Sequence, residues 1–193
     1  KALKKGYITV NGFIASTATI INGGERIVLT IPEEPTPNKR LIFPLQVLFE
    51  DEHLAAIHKP AGIEVSGNKF KTIANALPQN LEPSKLSDVA IPQPIHRLDY
   101  ATTGIVLVGK TLSSIRTLNK MFEDKCISKT YYAVAMGNME PRGTISSDID
   151  GKPSLSGYQV VESVSSKRFG VLNLVKLHPK TGRRHQLRKH MHS

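Results

Sequence analysis

Residues 96–104 read His-Arg-Leu-Asp-Tyr-Ala-Thr-Thr-Gly, and they lead straight into the apolar run Ile-Val-Leu-Val at residues 105–108. Such a run is typical of a strand covered on both faces, so the charged stretch before it is predicted to be a turn-rich loop. Asp99 lies in that loop, and the threonines and glycine that follow it can fold the backbone tightly. A carboxylate at the mouth of a buried strand can act as a nucleophile or general base. The alternative is an aspartate that only hydrogen-bonds its own turn.

Outward from this loop, predicted strands outnumber predicted helices. Apolar side chains at helical spacing predict an amphipathic helix over residues 111–124, whereas the proline-rich, polar residues 78–94 predict a loop. Because strands and helices do not alternate regularly, the fold class predicted is α+β, with a mixed, largely antiparallel sheet and flanking helices. Apolar and β-branched stretches predict the other strands at residues 45–49, 54–58, 131–136, 158–164 and 171–177.

The N-terminal segment predicts a small domain of its own. Residues 6–10 form a strand-like run that ends in the hairpin dipeptide Asn11-Gly12, and residues 27–31 form another such run. Residues 32–40, with three prolines among charged residues, then favour an extended linker and a domain boundary within it. The domain organisation predicted from this pattern is residues 1–36, a linker at 37–43 and a main domain at 44–193.

The charge balance points to a polyanionic partner. The chain of 193 residues has 26 lysines and arginines against 16 aspartates and glutamates, a formal net charge of +10. RNA or DNA is the usual partner of such a surplus, and the alternative is a solvated basic surface with no partner. The single cysteine, Cys126, excludes an internal disulfide, and no apolar run approaches the length of a membrane span.

The positive charge is densest in residues 177–191, where Lys180-Thr181-Gly182 has the composition of a turn. The arginines and histidines that follow can hold phosphates or pair with a carboxylate, and the alternative is a basic solvated face. His185, His190 and His192 do not predict a metal site. They lack an acidic or cysteine partner, and their cationic surroundings would repel a divalent ion.

Tyr131 and Tyr132 are neighbours in a predicted strand. Successive side chains in a strand point to opposite faces, so one tyrosine is expected in the core. The other is then available to stack on a nucleobase, as aromatic side chains do in RNA recognition.

Taken together, these segments resemble the RluA-type pseudouridine synthases, which isomerise uridine within an RNA chain. The family signature H-R-L-D-x-x-T-S-G is matched by residues 96–104, with Thr103 where serine is common. In the last segment, Arg184 stands where threonine or serine is common. The four matching segments, in chain order, are residues 59–62, 96–104, 129–137 and 182–188.

The resemblance implies roles for particular residues. Asp99 would be the nucleophilic or proton-abstracting carboxylate, Arg188 would form an ion pair with it, and Tyr131 would stack on the uracil and help to remove the proton from carbon 5. The family implies no metal and no cofactor. The residues expected to contact the RNA are Arg97, which would fill the gap left by the flipped nucleotide, Leu187, which would lie under the base, and His96, Arg183 and His185.

The N-terminal segment resembles the second half of the small RNA-binding domain named after ribosomal protein S-four, on residues 4–12 and Gly23-Gly24. The family's catalytic domain normally continues beyond an equivalent of His192, so the domain at 44–193 is expected to be C-terminally incomplete.

The function predicted is an RNA pseudouridine synthase, and the alternative is a catalytically silent RNA-binding or ribosome-assembly factor. Ribosomal RNA is the expected partner, with transfer RNA as the second choice. The protein is expected to be a cytoplasmic monomer that does not bind membranes.

Overall fold

The computed structural model describes residues 2–30 and 41–192. The chain divides into two compact units, Lys1–Lys39 and Arg40–Ser193. The first four residues of the predicted linker at 37–43, and the last residue of the strand predicted at 27–31, lie outside the described residues. Within the described part, no helix is long and apolar enough to cross a membrane.

The first unit contains a three-stranded antiparallel sheet in the order β2-β1-β3. The predicted hairpin at Asn11-Gly12 is confirmed, since both residues have positive φ angles, of 50° and 87°, as a tight primed turn requires. The three strands are β1 (Ile8–Val10), β2 (Phe13–Ile14) and β3 (Ile27–Leu29).

The second unit opens with a four-stranded antiparallel sheet in the order β4-β5-β7-β6. The prediction of a loop throughout residues 78–94 is wrong at its end, where a strand forms. That strand carries Pro92 and Pro94, and it lies at the sheet edge, where a residue without an N–H is tolerated. The strands are β4 (Gln46–Glu50), β5 (Leu54–Lys59), β6 (Val89–Pro94) and β7 (Gly104–Thr111).

A second four-stranded antiparallel sheet follows, in the order β8-β11-β10-β9. The strands predicted at 131–136, 158–164 and 171–177 are confirmed, although the last two are longer than predicted. The unit therefore has two antiparallel sheets rather than one. The strands of the second sheet are β8 (Tyr131–Met136), β9 (Arg142–Ile149), β10 (Lys152–Ser166) and β11 (Gly170–Pro179).

The described helices are few: α1 (Ile73–Ala76), α2 (Leu112–Glu123) and α3 (Gln186–His190), besides two short 3-10 turns. The predicted amphipathic helix is confirmed as α2. It begins with a capping box, in which the Thr111 hydroxyl accepts from the Ser114 N–H and the Ser114 hydroxyl accepts from the Thr111 N–H. It packs on β7 at Gly109, where an added Cβ would come within 2.5 Å of Ile115.

The buried hydrophobic cluster of the second unit lies around the β4-β5-β7-β6 sheet. The expectation that residues 105–108 are covered on both faces is wrong at Ile105, which is 57% exposed. Val106 and Val108 point into the core, whereas the opposite face is covered only farther along β7, where α2 packs. The α+β class is confirmed. The buried cluster comprises Ala55, Ile57, Ile63, Val65, Ile73, Leu77, Leu81, Leu98, Val106 and Val108.

Candidate active site

The loop before β7 is fixed at both ends and presents the Asp99 side chain between them. Leu98 is buried in the core cluster, and Gly104 begins β7 with a φ of 136°, a value that suits glycine. The turn in between is closed by the backbone carbonyl of Asp99, which accepts from the Thr102 N–H at 3.0 Å. Because the backbone closes the turn, the carboxylate is available for other partners. This geometry favours the chemical interpretation of Asp99 over a turn-forming one.

Lys59, at the end of β5, ties this loop to the sheet. Its side chain is fully buried, and Nζ donates to the carbonyls of Pro60, Tyr100 and Thr102 at 3.0, 3.2 and 2.8 Å. Burial lowers the pKa of the Lys59 ammonium, and the negative charge of Asp99 opposes that shift. Lys59 was not among the site residues predicted from the sequence. The sequence feature that could have identified it is a lysine at the end of an apolar strand, directly before Pro-Ala-Gly.

The carboxylate of Asp99 meets two residues of the basic C-terminal segment. Its Oδ2 lies 2.6 Å from Nδ1 of His185 and 3.9 Å from Nη1 of Arg188. The expected ion pair with Arg188 is thus at the outer limit of contact, and the shorter interaction is with a histidine that the resemblance had assigned to RNA contact. The Arg188 side chain is 64% exposed, so solvent also screens this pair.

Gln186 holds the segment that carries His185. Its buried side-chain oxygen accepts from the Thr181 hydroxyl at 2.8 Å and from the Arg183 N–H at 2.9 Å. Its amide nitrogen donates to the Leu155 carbonyl and to the Ser156 hydroxyl on β10. Four hydrogen bonds to one buried amide fix this short stretch of chain against the second sheet. Gln186 is therefore a supporting residue that the sequence prediction did not include.

Tyr131 is the first residue of β8, and it packs half-buried against the core cluster. Burial raises the pKa of its phenol above the usual value of 10, and the negative charge of Asp99 raises it further. At neutral pH Tyr131 is therefore a neutral hydroxyl. Tyr132 lies on the opposite face of the strand and is 60% exposed. The tyrosine whose pKa responds to the charge of Asp99 is therefore Tyr131, the half-buried one.

The other predicted RNA-contacting residues fall into two groups. His96 is engaged within the protein, because its Nε2 accepts from the Leu107 N–H at 3.1 Å and its ring stacks on Phe122 at 4.7 Å. Arg97, Arg183 and Leu187 remain accessible to a ligand: both arginines are exposed, and Leu187 is half-buried in α3. In residues 2–30 and 41–192, no group of three or more His, Cys, Asp or Glu side chains could hold a metal ion.

Comparisons of this chain with known proteins agree on one family. The family described as RNA pseudouridylate synthase matches residues 53–193. Ribosomal large subunit pseudouridine synthase D of Nitrosomonas europaea is 32% identical over 98% of this chain and 58% of its own length, and that of Pseudomonas aeruginosa is 30% identical over 98% and 62%. The chain thus spans less than two thirds of either relative.

Among solved structures, human RNA Pseudouridylate Synthase Domain Containing 4 superposes with a TM-score of 0.62 and 25% identity, covering 76% of this chain and 63% of that one. The family match extends over most of the second unit, including the Asp99 loop, β8 and α3. On its motifs, its fold and this match, the chain belongs to the RNA pseudouridylate synthase family, of the RluA type.

Proposed function

We propose that this protein is an RNA pseudouridine synthase and that Asp99 is its reacting carboxylate. The observation that carries the proposal is the placement of Asp99 against His185 and Arg188, on a loop that Lys59 ties to the sheet. A carboxylate held on a rigid support beside a cation suits chemistry on a flipped nucleoside. The family and the names of its relatives give the reaction class.

The reaction requires a carboxylate, a side chain that supports the base, and a group that controls the transfer of one proton. The bond between N1 of the uracil and C1′ of the ribose breaks, the uracil turns, and C5 bonds to C1′. The hydrogen on C5 then leaves as a proton, while N1 gains one. Asp99 can attack the ribose, add to the base or remove a ribose proton, and the same placement serves each route. Tyr131 supplies a neutral phenol and an aromatic ring, and the charge of Asp99 contributes to raising the pKa of that phenol after burial does.

We further propose ribosomal RNA as the substrate, with the first unit as an S-four-like RNA-binding domain and the cytoplasm as the location. Two relatives are named for the large ribosomal subunit. The net charge of +10 suits a phosphate backbone, and Arg97, Arg183 and Arg184 are exposed on the segments that carry Asp99 and His185. Arginines so placed can bind phosphates around the flipped nucleotide.

Release of tritium from ribosomal RNA labelled at C5 of uridine tests the proposal. The wild-type chain should release tritium, whereas Asp99→Ala should release none and should bind the RNA with a Kd within about threefold. Asp124→Asn is the matched control. It removes one carboxylate charge from an exposed pair with Lys120 at the end of α2, and it should leave the rate unchanged. RNA binding without tritium release by the wild-type chain would instead identify a silent RNA-binding factor.

A further inference from the structure

The contact between His185 and Asp99 has no place in the roles implied by the family. We propose that His185 is a positioning residue for Asp99: its Nδ1–H holds Oδ2 of the carboxylate and turns the other oxygen, Oδ1, toward the nucleotide. This inference rests on the proposed function, because it concerns how the reacting carboxylate is aimed. It replaces the expected role of His185 as an RNA contact.

The distance and the backbone both support a fixed contact. Nδ1 of His185 and Oδ2 of Asp99 are 2.6 Å apart, and the two side chains are 37% and 25% exposed, so the pair is partly withdrawn from water. His185 has φ 55° and ψ 27°, in the left-handed region that non-glycine residues rarely adopt. This conformation places the imidazole at the carboxylate.

The surroundings of His185 keep its backbone in that conformation. The Gln186 side chain is locked by its four hydrogen bonds, and the carbonyl of His185 accepts from the Lys189 N–H at 3.0 Å in the first turn of α3. A strained residue held from both sides is a common sign of a functional site.

The contact with Arg184 indicates which nitrogen of His185 carries the hydrogen. The Arg184 Nε–H donates to Nε2 of His185 at 3.4 Å, so Nε2 is an acceptor and the hydrogen lies on Nδ1, where it can bond to Asp99. Thr or Ser is common at this position of the family signature, and neither has a guanidinium to make this contact. The Arg184 contact is therefore a feature of this chain.

The charged groups around the imidazole come from several elements. Arg184 precedes it, Arg188 lies on α3, and Asp150 lies in the turn between β9 and β10, where its carboxylate responds to both Arg184 and His185. The pKa values of Lys59 on β5 and Tyr131 on β8 respond to the charge of Asp99 itself. Around the imidazole, the two arginines Arg184 and Arg188 are matched by two carboxylates, those of Asp99 and Asp150.

Two substitutions separate the hydrogen bond from the backbone strain. His185→Asn retains an N–H donor at the δ position, whereas His185→Gly retains none, and both residues tolerate a positive φ. At saturating RNA, we expect the single-turnover rate of His185→Gly to fall about 30-fold or more, because a misaimed catalytic group costs up to about 100-fold. His185→Asn should stay within about fivefold of wild type, and both Kd values within about threefold.

Three results would overturn the proposal: a wild-type rate in His185→Gly, an equal loss in both variants, or a loss that lies only in the Kd. The last result would restore His185 to the role of an RNA contact.

Nitrogen NMR of the imidazole tests the contact without turnover. The His185 signals are assigned by their disappearance in His185→Asn. We expect a protonated Nδ1, with its N–H signal shifting in Asp99→Ala. An unprotonated Nδ1, or a signal that ignores Asp99→Ala, would refute the contact. If the NMR result holds while the wild-type chain releases no tritium, the proposed function fails and the contact stands.

Discussion

At the scale of single residues, Asp99 and His185 show what sequence reasoning could reach. The motif around Asp99 identified the carboxylate correctly as a loop residue before a strand, since turn residues and an apolar run are local signals. The partnership with His185 joins residues 86 positions apart. It depends on a left-handed backbone fixed by Gln186 against β10, which no local pattern encodes.

His96 illustrates a residue whose chemistry is set by burial. Desolvation lowers the pKa of its imidazole to about 4, and the positive charge of Lys129 contributes to the shift. Its Nε2 must stay unprotonated to accept the Leu107 N–H. Within the protein, His96 therefore supports the base of the Asp99 loop as a neutral acceptor.

This shift predicts a loss of stability in mild acid. As the pH falls from 6.5 to about 4, the unfolded chain takes up a proton at His96 that the folded chain does not. The free energy of unfolding should fall by about 3 kcal/mol from this group across that window. His96→Gln keeps an acceptor and cannot titrate, so its stability curve should be flatter there. Urea unfolding from pH 7 to pH 4 measures this, with the exposed His53→Gln as control. Parallel curves for wild type and His96→Gln would contradict it.

At the scale of elements, local sequence signals predict where strands lie better than they predict which strands pair and which strand lies at the edge of a sheet. The Asn11-Gly12 hairpin and helix α2 follow from turn and capping chemistry, which acts within a few residues. Strand β6 was missed because its prolines read as loop residues, and only its place at a sheet edge makes them acceptable. The exposure of Ile105 likewise depends on how far along β7 helix α2 packs.

Two buried lysines at opposite ends of the β5–β7 pair provide a test of the Asp99 loop. Lys59 lies opposite Gly104 and holds the loop by three carbonyls, whereas Lys110 follows Gly109 and bonds to Glu50 and to the Asp51 carbonyl, both at 2.6 Å. Both side chains are almost fully buried, at 0% and 3% exposed.

We expect Lys59→Met and Lys110→Met each to lower the free energy of unfolding by about 1–3 kcal/mol, because each removes a buried donor from part-buried acceptors. Only Lys59→Met should also slow the single-turnover rate of the folded fraction, by about tenfold or more, because the carbonyls flanking Asp99 lose their common donor. Denaturation and tritium release, measured on the same samples, separate the two effects. Equal rates in the two folded variants would show that Lys59 acts on stability alone.

At the scale of the whole molecule, the charge and the first unit predict how RNA is held. With a net charge of +10, the RNA affinity should fall linearly on a log–log plot against salt concentration. Removal of residues 1–31 should weaken binding to long ribosomal RNA about tenfold, or about 1.4 kcal/mol, and should make that salt dependence shallower. The single-turnover rate at saturating RNA should change by less than about threefold. A rate that falls as far as the affinity would contradict a purely binding role.

The most direct test of the account is analysis of the nucleosides in ribosomal RNA after incubation with the wild-type chain or with Asp99→Asn. Pseudouridine has the mass of uridine but a carbon–carbon glycosidic bond, so chromatography of the digested RNA separates the two. The account predicts new pseudouridine with the wild-type chain and none with Asp99→Asn at equal RNA occupancy. Pseudouridine formed at similar rates by both proteins would contradict the assignment of Asp99 as the reacting carboxylate.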